Sequence, residues 1–224
     1  MAKYSIIICA GGTGKRMLTE IPKQFLNLQQ KAILQVVIEQ FYRFDSQAQI
    51  IVTLPKVWIN YWNEYCLKNN LNIPHIIIEG GKERYHSIKN ALKHCNGDYI
   101  AVHDAVRPFV SQNLLKILFE LVGKDLAVIP VISLKDSLRK NTNSNSKAED
   151  RKHFVLVQTP QVFEKNILLK AYNQKYSSKI TDDASLVEKS GVSLKLIDGE
   201  EKNIKITTPY DYELAQWIYK RFGI

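Results

Sequence analysis

Short apolar runs bounded by turn residues recur at residues 4–10, 49–54, 75–79, 98–103 and 126–131. Their length and their isoleucine and valine content predict buried strands. Between them, residues 33–44, 56–69, 83–95 and 111–122 carry apolar side chains at helical spacing, and Ser111 stands where an N-cap belongs. Strand–helix alternation repeated this often predicts right-handed βαβ units and a mostly parallel sheet, an α/β fold of Rossmann-like, three-layer type. Ligands bind such sheets at the carboxyl ends of the strands, so the residues that directly follow each strand are the ones to read for chemistry.

The alternation breaks after residue 133. Residues 141–150 (NTNSNSKAED) are polar and of low complexity. Residues 134–139 and 153–157 on either side carry apolar positions at strand spacing. This pattern favours a protruding β-hairpin arm over residues 134–157, with 141–150 as its tip, above a loop or a linker. Beyond it, residues 164–176, 182–189 and 210–221 predict helices, and 193–197 and 203–206 predict strands. Residues 1–224 thus read as a single domain carrying an arm.

A chain of 224 residues can bury a full core without disulfides. Cys9, Cys66 and Cys95 form no CxxC pair, which fits a reducing cytoplasm. No apolar run approaches the ~20 residues of a membrane span, and residues 1–3 lead straight into the first strand, so neither a membrane nor a leader is expected. The net charge of +9 attracts anions. Its lysines are scattered, so most of this excess is expected to be solvated surface. The charge alone does not distinguish nucleic acid from nucleoside triphosphates or phosphorylated sugars, and the lack of a basic stripe interleaved with aromatics speaks against nucleic acid. His75, His86, His94 and His153 show no metal-binding spacing, and His103 is expected to position the turn at Asp104.

The first strand runs into Ala10-Gly11-Gly12-Thr13-Gly14-Lys15-Arg16-Met17, a turn that lets backbone amides approach an anion closely. It is not a P-loop, because Cys9 stands where the first glycine belongs and Arg16 where Ser or Thr belongs. Nor is it a dinucleotide fingerprint, since Met17 replaces the last glycine and no acidic residue ends the second strand. With Pro22-Lys23-Gln24 following, cations converge where a polyphosphate can lie.

At this point the sequence resembles the cytidylyltransferases of the IspD type, which act on 2-C-methyl-D-erythritol 4-phosphate. The pattern A-G/A-G-x-G-x-R-M then P-K-Q is present here as AGGTGKRM and PKQF. Gly80-Gly81-Lys82-Glu83-Arg84 leading to Ser87 is similar to the family's G-G-x-x-R-x-x-S segment, and Val102-His103-Asp104-Ala105-Val106-Arg107-Pro108 to its V-H-D-A-x-R-P signature. Gln158-Thr159-Pro160-Gln161, Thr181-Asp182-Asp183-Ala184-Ser185 and Asn203-Ile204-Lys205-Ile206-Thr207 follow in family order, so the likeness spans residues 4–221.

The resemblance implies a nucleotidyltransferase, GT-A-like fold and a reaction in which a phosphate oxygen of the acceptor attacks the α-phosphorus of CTP. A phosphate monoester is already anionic near neutral pH, so the difficulty is bringing two polyanions together and stabilising charge on the phosphoryl oxygens. By resemblance, Arg16 and Lys23 stabilise the α-phosphate in the transition state, and Mg²⁺ is bound mainly through the CTP phosphates. The nucleotide would lie against Ala10, Gly11, Gly12, Thr13, Gly14, Lys15, Gly81, Lys82, Ser87 and Ala105. Of these, backbone groups of Ala10, Gly11, Gly81 and Lys82 and the Ser87 hydroxyl would read cytosine. Lys82 departs from the acidic residue common in the family. The acceptor site would comprise Asp104, Arg107, Ser137, Arg151, Thr181 and Lys205. Lys205 and Arg151 would face the acceptor phosphate, and Asp104 would bind a sugar hydroxyl, with the metal as its alternative ligand. Ser137 replaces the usual threonine, and Thr181 can also cap a helix. A homodimer would form through the arm, with Arg151 delivered to the neighbouring subunit. Ribitol 5-phosphate is the alternative acceptor, because HDAVRPF is common among the enzymes that use it.

Overall fold

The computed structural model describes residues 3–12, 21–142 and 145–223. In chain order, β1 (Tyr4–Cys9) is followed by a minimal hairpin, β2 (Asn27–Leu28) and β3 (Lys31–Ala32), and then α1 (Ile33–Phe44). Next come β4 (Gln49–Leu54), α2 (Lys56–Lys68), β5 (Ile76–Glu79), α3 (Arg84–Leu92), β6 (Tyr99–Asp104), α4 (Gln112–Asp125) and β7 (Ala127–Ser133). The remainder comprises β8 (Leu138–Asn141), β9 (Ser146–Glu149), β10 (Val155–Val157), β11 (Gln161–Glu164), α5 (Lys165–Ala171), α6 (Asp183–Glu188), β12 (Lys195–Asp198) and α7 (Pro209–Phe222).

The main sheet has the order β10-β7-β11-β6-β1-β4-β5, with β12 also paired to β7. Among the described residues, β10 and β11 run against the other strands of this sheet. Parallel strands covered on both faces bury every side chain, and β1 shows this: Ile6, Ile7 and Ile8 are all fully buried. Ile6 and Ile8 pack on the face covered by α1 and α4, and Ile7 on the face covered by α3, α5 and α6. The result is the three-layer α/β arrangement the alternation predicts. Ser111 caps α4 as expected, accepting from the Leu114 amide at 3.0 Å.

Several expectations are corrected. β11 is a short antiparallel strand slotted between β6 and β7, with Val162 and Phe163 buried on opposite faces. β6 runs to Asp104, which is therefore a strand residue. Residues 203–206 form no strand: the Asn203 amide donates to the Glu200 carbonyl, the Asn203 carbonyl accepts from the Arg107 side chain, and Ile206 donates one backbone bond to the Val106 carbonyl. The polar stretch read as the arm's tip contains β9, which pairs with β8 in a two-stranded sheet, and β10 belongs to the main sheet. Asp182, and not Thr181, caps α6 by accepting from the Ser185 amide at 3.0 Å.

A third cluster sets the position of the last loop. Ala215 and Ile218 of α7 pack with Ile206 against Val106 and Phe109, directly after β6. With Ile206 fully buried there, its neighbour Lys205 is held beside the end of β6.

Candidate active site

A cleft of about 370 Å³ opens at the carboxyl ends of β1, β4, β5 and β6. Its floor is tied across the strand ends by backbone bonds. The Ala10 amide donates to the Thr53 carbonyl at 3.0 Å, that of Ala105 to Cys9 at 3.1 Å, and that of Gly80 to Leu54 at 2.8 Å. Buried Gln24 donates its amide to the Ala10 carbonyl at 2.7 Å, which fixes the exit of β1. The next residue, Phe25, is buried among Trp58, Tyr61 and Trp62, so the turn carrying Lys23 is anchored by aromatic packing. Lys23 lines the cleft.

On the opposite wall, the Gly81 amide donates to the Ser87 hydroxyl at 3.0 Å, and that hydroxyl donates to the Glu83 carbonyl at 3.2 Å. A Cβ at Gly81 would stand 2.3 Å from Cβ of His86, so only glycine fits this approach. Ser87 is buried and organises the loop that carries Gly81 and Lys82.

Asp104 is the electrostatic centre. Its Oδ2 lies 2.9 Å from Lys205 Nζ and 3.7 Å from Arg107 Nε, and its Oδ1 lies 3.5 Å from Arg84 Nε. Burial opposes ionisation of this carboxyl, but Arg84, Lys205 and Arg107 outweigh it and hold Asp104 well below the usual carboxylate range. Arg107 also donates to the Asn203 carbonyl at 2.7 Å, which ties the Lys205 loop to the end of β6. Buried Asn203 completes that tie by donating to the Thr159 carbonyl at 2.9 Å.

His103 is fully buried, and burial lowers its imidazole to about 4. It is therefore neutral near pH 7. Its Nε2 lies 2.9 Å from the Arg107 carbonyl and its Nδ1 3.2 Å from the Thr159 hydroxyl. A carbonyl can only accept, which assigns the proton to Nε2, so Thr159 donates to Nδ1 while accepting from the Asp104 amide at 3.1 Å. His103 thus orients the Asp104 turn, as expected.

Ala10, Gly11, Gly12, Lys23, Gly81, Lys82, Ser87, Asp104, Ala105 and Lys205 all line this one cleft. Arg107 lies beneath it. Thr13, Gly14, Lys15 and Arg16 lie outside the described residues. Thr181 opens instead onto a small adjoining hollow that shares Glu83 and Arg84 with the main cleft. Ser137 and Arg151 are exposed on the arm segment, where Arg151 donates to the Lys135 carbonyl.

The family model for 2-C-methyl-D-erythritol 4-phosphate cytidylyltransferase (IspD) matches residues 4–221. The chain belongs to the IspD family. It is an enzyme of the nucleotidyltransferase class, similar to the cytidylyltransferase of that name from Bacteroides fragilis at 45% identity over 93% of this chain and 96% of the relative. The IspD structure from Francisella tularensis matches with a TM-score of 0.79 at 31% identity, over 96% of this chain and 98% of that one. The bifunctional IspDF of Campylobacter jejuni matches with a TM-score of 0.81 at 28% identity, over 94% of this chain, which spans about half, 53%, of that longer protein.

The sequence reading gave no role to Arg84, Gln24, Thr159 or Asp183. All four stand inside segments that resemble the IspD family, so a signal existed, although it did not say what each side chain touches. The pairing of Arg84 with Asp183 at 2.7 Å joins residues far apart in the chain, and no local pattern announces it.

Proposed function

We propose that this protein transfers a cytidylyl group from CTP to 2-C-methyl-D-erythritol 4-phosphate, releasing pyrophosphate, as in isoprenoid precursor synthesis. The observation that carries this reading is a single cleft that joins the glycine loop after β1, Lys23 and the Asp104–Lys205 pair, in a chain of the IspD family. The family model and the similar proteins favour this acceptor over ribitol 5-phosphate.

CTP enters with cytosine against the Gly81–Ser87 wall, where backbone groups of Ala10, Gly11, Gly81 and Lys82 meet its edge. The Ser87 hydroxyl accepts one bond and donates another, which shapes that wall and leaves one lone pair to accept from the base. Lys23, joined by Arg16, neutralises charge growing on the α-phosphoryl oxygens. Lys205 leaves Asp104 for the acceptor phosphate, and the freed carboxylate accepts an acceptor hydroxyl. Arg107 holds Asp104 in place for this exchange. Thr181 in the adjoining hollow extends the acceptor side.

Among the described residues no group of three or more His, Cys, Asp or Glu side chains could hold a metal, and Asp104 already faces three cations. These residues suit a metal brought in on the triphosphate better than a resident one. Mg²⁺ bound through the CTP phosphates would offset part of their charge.

The active enzyme is a homodimer built through the arm. Phe154, Val155, Leu156 and Val157 are each more than two-fifths exposed, an apolar edge that a second subunit would cover. That pairing would carry Arg151 and Ser137 to the neighbour's acceptor site. Three free thiols suit a reducing cytoplasm.

Nucleotide choice tests the reading. CTP should support pyrophosphate release, and ATP and GTP should be poor, because the backbone groups proposed to meet the base would match the edge of a pyrimidine. Comparable rates with all three triphosphates would remove the base-recognition assignment.

A further inference from the structure

Asp183 is fully buried in the first turn of α6 and lies outside the cleft, yet its carboxylate is committed to it. Its Oδ2 accepts from Arg84 Nη2 at 2.7 Å, and its Oδ1 accepts from the Tyr172 hydroxyl. Arg84 forms the wall between the main cleft and the adjoining hollow, and its other edge reaches Asp104 Oδ1 only at 3.5 Å. One guanidinium is thus stretched between two carboxylates and gives the short bond to the remote one.

We propose that Asp183 is a positioning residue of the active site, which by holding Arg84 back leaves the Asp104 carboxylate free to pair with Lys205 and then with the acceptor. The inference rests on the assignment of Asp104 and Lys205 to the acceptor side. Three observations support it. Tyr172 is itself almost fully buried, so the Asp183 carboxylate has a fixed second anchor and cannot follow Arg84 toward the cleft. Arg84 is more tightly protonated than an ordinary arginine: burial opposes its charge, but the carboxylates of Asp183 foremost and then Asp104 outweigh it. Lys205 holds Asp104 at 2.9 Å, a bond that a closer Arg84 would contest.

Without the charge of Asp183, Arg84 should close onto Asp104 and displace Lys205. Two consequences follow for Asp183→Asn, which keeps the shape and loses the charge. In the free protein, trace labelling of Lys205 by acetic anhydride, read by mass spectrometry against the other lysines, should rise several-fold as its partner is lost. In turnover, the KM for 2-C-methyl-D-erythritol 4-phosphate should rise about tenfold, with the KM for CTP within twofold. Charge alone predicts the opposite sign, because removing a carboxylate beside an anion site tightens anion binding. A lowered acceptor KM therefore overturns the proposal, and so does unchanged Lys205 labelling in a folded variant. If labelling rises while the acceptor KM stands still, the positioning role is upheld, and the assignment of Asp104 and Lys205 to the acceptor is what fails. Should Asp183→Asn not fold, Tyr172→Phe removes only the second anchor. It should shift both readouts in the same direction by a smaller factor, and a folded Tyr172→Phe with neither shift overturns the proposal.

Discussion

Lys23 and His103 illustrate two ways in which a single residue can act on this site, the first by the charge proposed for it at the reacting centre and the second by neutrality beneath it. Lys23 lines the cleft on a turn fixed by Gln24 and Phe25, so in the proposed reaction its ammonium would meet the phosphates from a rigid support. Charge at the α-phosphorus grows in the transition state, and Lys23→Ala should therefore lower kcat by ~10²-fold or more with little change in CTP affinity. Steady-state kinetics check this, and a near-normal kcat would remove Lys23 from the catalytic residues. His103 acts through the proton it refuses. Buried and lowered to about 4, it stays neutral while an unfolded chain, with an ordinary value near 6.5, takes up a proton. The unfolded state gains protons as pH falls through that window, so stability declines from about pH 6.5 to about 4, by up to about 1.4 kcal/mol per pH unit. His103→Gln should flatten this slope in urea unfolding at successive pH values. Parallel slopes for variant and wild type would assign the pH dependence elsewhere.

At the scale of elements, the main-sheet strands and the helices before residue 133 were legible because both signals there are strong, whereas the two-residue strands β2 and β3 were too short to show one. Buried parallel strands read as unbroken apolar runs, and α1 and β4 fall within the predicted bounds. β11 was not, since four residues set between Pro160 and a helix carry too few positions for a period to show. The segment at 203–206 failed for the opposite reason, being apolar and extended yet held by Asn203 and Ile206 to loops instead of to a strand. Backbone pairing is blind to polarity, so a serine- and lysine-bearing stretch became β9. Candidate site residues on strand ends were legible from motif spacing, whereas the role of Asp183 shows only in its ion pair with Arg84, far away in the chain. The arm carries its own prediction. Lys23→Ala and Arg151→Ala homodimers should each be nearly inactive. If Arg151 serves the neighbouring subunit, a mixed dimer places both lesions in one site and none in the other. Co-refolding equal amounts should then restore roughly a quarter of wild-type sites under random pairing. No recovery despite demonstrated subunit exchange would return Arg151 to its own chain.

For the molecule as a whole, the sheet supplies the strand ends and the α7 cluster supplies the loop that closes them, so that Lys205 meets Asp104 across one cleft. Three cations share the Asp104 carboxylate on one side of the cleft, where the proposed acceptor phosphate would enter, and the glycine wall would take the base opposite it. The central claim is that one acceptor phosphate and one CTP are joined there. Phosphorus NMR of the protein with CTP, Mg²⁺ and either 2-C-methyl-D-erythritol 4-phosphate or ribitol 5-phosphate tests it most directly. The account predicts that the monoester signal of the methylerythritol phosphate gives way to a coupled diphosphate pair with free pyrophosphate, while ribitol 5-phosphate is consumed far more slowly. Preferential consumption of ribitol 5-phosphate, or an unchanged monoester signal with both acceptors, would contradict it.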